Sequence, residues 1–207
     1  MDHVTPRTSI LVPALLLVVS TPFATGSTCT AAPPVTAIVF TPNERSILVG
    51  AQSGIVQLSW PGLQLQRRVE IGIANLHTLA FSPDGRRLAV GGGYPSELGE
   101  VTILQWPSTE KLDSLRFHDD SVMSLVWLDN KTFVSGGLDR EVIRWKQDDA
   151  STWQRSVLSG HSRGVTSLAG LQSASLILSA GIDRSLRVWN ADSGKSVRSL
   201  RIHTLPI

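Results

Sequence analysis

Ser179, His161 and Asp183 are the three residue types of a hydrolytic triad, and His118, Ser135 and Asp139 recur one repeat earlier. In a working triad a histidine takes the serine proton while a carboxylate orients the imidazole, and the nucleophile stands exposed on a sharp turn. No G-x-S-x-G elbow surrounds Ser179, which lies in ILSAG. A structural polar network is the reading those residues support. Metal chemistry has no better footing. The five histidines show no H-x-x-x-H spacing, and Asp119-Asp120 and Asp148-Asp149 lack the glycine and ligand spacing of a calcium loop. The single cysteine, Cys29, has no partner for an internal disulfide, and the absence of CxxCH excludes covalent c-type haem attachment within this sequence. The sequence therefore assigns no catalytic, metal-binding or cofactor-binding residue.

The elements that would position these groups recur in step. PPVTAIVFTP from Pro33, ANLHTLAFSPDG from Ala74, DSVMSLVWLD from Asp120 and RGVTSLAGL from Arg163 line up, and each leads to a strand read as ending in tryptophan. Those tryptophans, Trp60, Trp106, Trp145 and Trp189, are 46, 39 and 44 residues apart. Self-similarity at such a period marks stacked units that cannot each bury a core alone. Runs of Val, Ile, Leu and Thr alternate with Gly, Ser, Asp and Pro, which predicts four strands per unit. They fall at 35–40, 46–51, 55–60 and 64–71; at 76–81, 86–92, 100–106 and 110–117; at 122–127, 131–136, 141–146 and 153–158; and at 165–170, 175–180, 185–190 and 196–202. Ser82-Pro83-Asp84-Gly85 fits a type I turn between the first two strands of its unit.

From residue 35 to the end, this pattern resembles the WD-repeat β-propeller family. The segments FVSGGLDREVIRW and ILSAGIDRSLRVW match nearly position for position. The resemblance implies an all-β fold of four four-stranded blades in an incomplete ring. It also implies two hydrogen-bonded structural tetrads, His118–Ser135–Asp139–Trp145 and His161–Ser179–Asp183–Trp189. The first two units lack the His and Asp. In the second, Gly91 to Gly99 is read as an inserted loop around Tyr94 in place of the Asp-containing turn. The expected divisions are a signal peptide and linker at 1–32, then blades at 33–73, 74–118, 119–161 and 162–203, with a fifth beginning at 204–207. Four blades would leave edges and apolar faces open, so the sequence reads as a C-terminally truncated fragment.

Residues 10–19 form an apolar run followed by small and turn-forming residues, the pattern of a secretory signal peptide, and too short to span a bilayer. Gly26 and Thr28 do not supply the residues a lipoprotein signal needs before Cys29. The expected localisation is periplasmic or extracellular, with no stable membrane span after cleavage, and the layout looks like secreted bacterial WD-repeat proteins. A net charge of +2, with scattered Arg and Lys, gives nucleic-acid binding no support. In the family, the loops before the first strand and between the second and third share one face that meets partners. Here that face gathers Tyr94, Glu97, Leu98, Asp120, Arg140, Arg163 and Arg184. The function expected is an exported, non-enzymatic scaffold for protein partners. The alternative is the propeller part of an exported redox or hydrolytic enzyme, for example one joined to a c-type cytochrome domain.

Overall fold

The computed structural model describes residues 33–171 and 175–201. The expected signal segment with Cys29, and the start of a fifth unit, lie outside the described residues. Among the described residues sixteen strands form four antiparallel sheets, each a meander in chain order. The first blade is β1 (Val35–Phe40), β2 (Ser46–Ala51), β3 (Gly54–Ser59) and β4 (Leu65–Val69). The second is β5 (Thr78–Phe81), β6 (Arg87–Tyr94), β7 (Leu98–Gln105) and β8 (Lys111–His118). The third is β9 (Val122–Asp129), β10 (Thr132–Gly137), β11 (Val142–Gln147) and β12 (Trp153–Leu158). The fourth is β13 (Val165–Leu171), β14 (Leu176–Gly181), β15 (Ser185–Asn190) and β16 (Ser196–Arg201).

Alternation along each strand gives every sheet two faces, and the core consists of the seams between successive sheets. The leading strands β1, β5, β9 and β13 lie side by side in that order. Leu48, Ile55 and Val69 of the first sheet meet Leu79, Leu88, Val90 and Leu104 of the second. Ala89, Val101 and Ile103 meet Leu125, Trp127, Phe133 and Trp145 across the next seam. Val134, Val142 and Leu158 then meet Val165, Ile177 and Trp189.

A glycine in the second strand of each of the first three blades admits the apolar residue that leads the next. A Cβ on Gly50 would stand 2.5 Å from Leu76, one on Gly91 2.9 Å from Val122, and one on Gly136 2.8 Å from Val165. The matching position in the fourth blade, by its pairing in β14, is Ala180. The first sheet has one face without a neighbour among the described residues. Ile38 is 64% exposed, Phe40 48% and Leu65 55%. By register the counterparts of Ile38 and Phe40 in the second blade are Leu79 and Phe81, and both pack into the seam with the first.

At the turns, each seam carries an arginine that reaches into the next blade. Arg67 donates to the Pro107 carbonyl at 3.0 Å and lies over the Trp106 ring. Arg87 donates to Gln147 Oε1 at 3.0 Å and to the Asn130 carbonyl, and lies over Trp127. Arg144 donates to the carbonyls of Ala191 and Asp192.

Two expectations need correcting. Trp60 and Trp106 do not end third strands, because β3 stops at Ser59 and β7 at Gln105. The ladder pairs Ile47 with Leu58, Leu88 with Leu104, Phe133 with Trp145 and Ile177 with Trp189. Leu58 and Leu104 are thus the counterparts of Trp145 and Trp189. Trp60 and Trp106 sit two residues further on, edge-on against Phe40 and Phe81. The second correction concerns Gly91 to Gly99, which is no open loop. Strands β6 and β7 continue their ladder through Gly92–Glu100, Gly93–Gly99 and Tyr94–Leu98, leaving only Pro95, Ser96 and Glu97 to turn.

Candidate functional site

The two sets of Ser, His, Asp and Trp are brought together by the ladder and the loop preceding each blade. In the third blade Ser135 lies on β10, Trp145 two rows along on β11, His118 at the end of β8 and Asp139 in the β10–β11 turn. Trp145 Nε1 donates to Ser135 Oγ at 2.9 Å; Ser135 Oγ is 2.7 Å from His118 Nε2; and His118 Nδ1 is 2.8 Å from Asp139 Oδ2. The fourth blade repeats this with Trp189 to Ser179 at 2.8 Å, Ser179 to His161 at 2.7 Å, and His161 to Asp183 at 3.0 Å. One order of donation satisfies every group. The indole donates to the serine, the serine hydroxyl donates to Nε2, and the Nδ1 proton is donated to the carboxylate.

Each carboxylate also caps its own surroundings. Asp183 accepts from the backbone N–H of Ser162 at 2.9 Å, from that of Ser185 at 3.0 Å and from the Ser185 hydroxyl at 2.7 Å. Asp139 accepts from the backbone N–H groups of Asp119 and Glu141, each at 3.1 Å. Burial alone would raise these carboxyls. For Asp183 the hydrogen bonds from Ser185, Ser162 and His161 outweigh it and hold the group far below the usual carboxylate range. For Asp139 the hydrogen bond and charge of His118, with the two backbone donors, likewise win. His161 is lowered, chiefly by burial, against the opposing pull of Asp183. Glu141 is raised by its partial burial and by the charge of Asp139.

Ser135 and Ser179 are fully buried, so neither hydroxyl can meet a substrate. The geometry ties a loop to a hairpin. In the first two blades apolar residues occupy the Ser and Trp positions, Val49 with Leu58 and Val90 with Leu104.

The loops beside these tetrads carry the expected partner-face residues. Tyr94 is 53% exposed at the end of β6, and Glu97 closes the turn by donating its N–H to the Tyr94 carbonyl. Asp120 accepts from the Ser96 N–H at 2.9 Å and so fastens the hairpin to the loop leading the third blade. On the other side of the hairpin Gly93 donates to the Ala74 carbonyl, and Asn75 Nδ2 donates to the Gly93 carbonyl at 3.1 Å. Glycines make this close approach possible, since a Cβ on Gly92 would meet the Asn75 carbonyl at 2.6 Å. Leu98 is half-buried within the ladder rather than presented on the rim. Arg140 and Arg184 each follow a tetrad aspartate and hold left-handed backbone, φ 78° and 67°. Arg163 is exposed beside Asp183 and Arg184 in a cleft that also includes Arg201, a residue that no sequence motif marks. Its only signal was ladder register, which pairs Arg201 with Ser185.

Among the described residues no group of three or more His, Cys, Asp or Glu could hold a metal ion, and no helix is long and apolar enough to cross a membrane.

Residues 109–146 and 153–190 match the WD40 family, described as WD domain, G-beta repeat. The chain is 28% identical to meiotic fizzy-related protein 1 of Schizosaccharomyces pombe over 162 residues, covering 78% of this chain and 37% of that protein. It is 26% identical to Protein HIR1 of Eremothecium gossypii, covering 72% of this chain and 21% of the relative. It is 33% identical to WD repeat-containing protein 41 of Mus musculus, covering 55% and 27%. The chain thus spans well under half the length of these curated relatives. The solved structures of U3-55K and of the RRP9 WD40 repeats superpose with TM-scores of 0.73 and 0.74, each at 23% identity. Each covers 84% of this chain, and the chain covers 54% and 53% of them. The WD40 match falls on two of the four blades of the described residues, which together have the WD-repeat propeller fold.

Proposed function

We propose that this protein is a scaffold that docks protein partners on the face formed by the β6–β7 hairpin and the loops leading the third and fourth blades, with no catalysis of its own. WD40 repeats are typically interaction modules. The observation that carries the reading is how the polar chemistry is divided. The serines and histidines of both tetrads are spent in buried joints, whereas Tyr94, Arg140 and Arg163 stand exposed on hydrogen-bonded, held backbone. Exposed aromatic and arginine side chains on a fixed frame are what interface hot spots are built from. A photo-crosslinking residue at position 94, compared with one at Lys195 in the turn between β15 and β16, tests the face. A partner captured from 94 and not from 195 is expected. Capture only from 195 would overturn the assignment.

Export is part of the same proposal and rests on the pattern of residues 1–26. The named relatives are fungal and mouse proteins and do not bear on it. N-terminal sequencing of protein recovered outside the cytoplasm of a bacterial host is expected to begin between Gly26 and Ala32. An intact Met1 would overturn export with cleavage.

A further inference from the structure

The rims of the third and fourth blades differ in charge balance, the third net acidic and the fourth net basic. Register pairs Val142 with Leu158 and Leu186 with Leu200, so Glu141 corresponds to Ser185 and Ser159 to Arg201. Counting from the tetrad histidines, Asp119 corresponds to Ser162 and Asp120 to Arg163. The third rim therefore gathers Asp119, Asp120, Asp139 and Glu141 against Arg140. The fourth gathers Arg163, Arg184 and Arg201 against Asp183 alone, around a cleft of about 380 Å³ that Ser162 and Ile182 also line. The Asp183 carboxylate is already engaged by the Ser185 N–H and hydroxyl of its own turn, by the Ser162 N–H of the loop leading the blade, and by His161. Among the described residues, Arg163 and Arg201 have no carboxylate of this chain as an ion-pair partner.

We propose that this cleft is an anion-recognition site that seats a short acidic segment of a partner protein, a proposal that rests on the scaffold reading. Guanidinium groups bind carboxylates through paired, charge-assisted N–H donors, which makes several arginines around one concavity a carboxylate receptor. The neighbouring blade decides between a peptide and a nucleic acid. A nucleic-acid strand carries charge at every phosphate and would have to pass the acidic rim of the third blade, whereas a peptide with two or three adjacent carboxylates fits within the cationic sector. The acidic rim thus limits how far a negative ligand extends and sets its register.

The test uses the full chain with fluorescein-labelled hexaglutamate as the probe, read by anisotropy at 50 and 150 mM NaCl. Hexalysine and a 12-nucleotide single-stranded DNA are the comparison probes. Hexaglutamate is expected to bind, more weakly at the higher salt, and the double substitution Arg163→Glu with Arg201→Glu is expected to weaken it about tenfold or more. Lys195→Glu should leave it unchanged. The neutral pair Arg163→Gln with Arg201→Gln should lose less, and its melting curve should match the parent, which separates lost charge from lost fold. No binding of hexaglutamate, equal binding by the double variants, or tighter binding of the DNA would each overturn the proposal. A partner still captured from position 94 in those cases would leave the scaffold reading standing, so the two ideas fail separately.

Discussion

Replacing Ser179 with alanine removes one oxygen and orphans two buried groups. The hydroxyl is fully buried, accepts from Trp189 Nε1 at 2.8 Å and meets His161 Nε2 at 2.7 Å. Trp189 is 1% exposed and His161 7%, so water cannot replace the lost partner without opening the seam. An unsatisfied buried polar group costs about 1–3 kcal/mol, so two of them amount to about 3 kcal/mol even if one relaxes. For a folded region of this size, 1 kcal/mol moves the melting temperature by about 2–4 °C, which makes the expected fall about 6–12 °C. Thermal unfolding measures the whole, and amide hydrogen exchange in β14 and β15 localises it to the fourth blade. Trp189→Phe removes the indole donor, so the double substitution should lose about 1 kcal/mol less than the sum of the two singles. An unchanged melting temperature with unchanged exchange in β14 and β15 would refute the claim that this network holds the blade together.

Four further outcomes are expected. Stability to urea should fall as the pH drops from 7.5 to 5.5 and again to 3.5. His161, Asp139 and Asp183 all bind protons less readily in the folded state than unfolded, so the unfolded state gains on acidification, first through the ordinary histidine range near 6.5 and then below about 4; Glu141 opposes this weakly, and a flat profile would refute it. Gly136→Val should destabilise by about 1–3 kcal/mol in urea titrations, because its Cβ would press on Val165 and Leu168, whereas Ala180→Val at the matching position should cost less; equal losses would refute the packing argument. A fluorophosphonate probe should leave the native chain unlabelled by mass spectrometry, and modification of Ser135 or Ser179 would refute their purely structural role. Residues 27–207 expressed alone should scatter light as oligomers, and Ile38→Lys with Phe40→Glu should reduce this by breaking an exposed apolar face; a monodisperse parent would refute it.

Strand positions were readable because Ser-Pro-Asp-Gly and related turns punctuate short β-branched runs, and most observed limits lie within two residues of the expected ones. Residue type misled where register decided. Trp60 and Trp106 share an identity with Trp145 and Trp189 but not a ladder position, and only the cross-strand pairs reveal that leucines stand in their place. The glycine run from Gly91 reads as loop because it lacks apolar alternation. Its backbone is pressed between the Ala74–Asn75 and Asp120 segments, where side chains would not fit, and so it can still pair as strand. Both tetrads were legible through the family resemblance carried by FVSGGLDREVIRW and ILSAGIDRSLRVW, yet the Ser185 hydroxyl on Asp183 depends on a turn geometry that the resemblance did not include. Arg67, Arg87 and Arg144 left no local trace at all, since their partners lie 40 to 60 residues away.

The glycine notches of Gly50, Gly91 and Gly136 have an evolutionary consequence. Each receives an apolar residue from the following blade, Leu76, Val122 or Val165, in the same way. A joint that asks only for a notch behind and an apolar peg ahead does not register which blade it belongs to. Unequal recombination between two of these notched units would delete or duplicate a whole blade while keeping the notch-and-peg contact at the new joint, because neighbours meet only neighbours. Blade number can then drift in a lineage much faster than blade design, and selection on the rim loops can proceed one unit at a time.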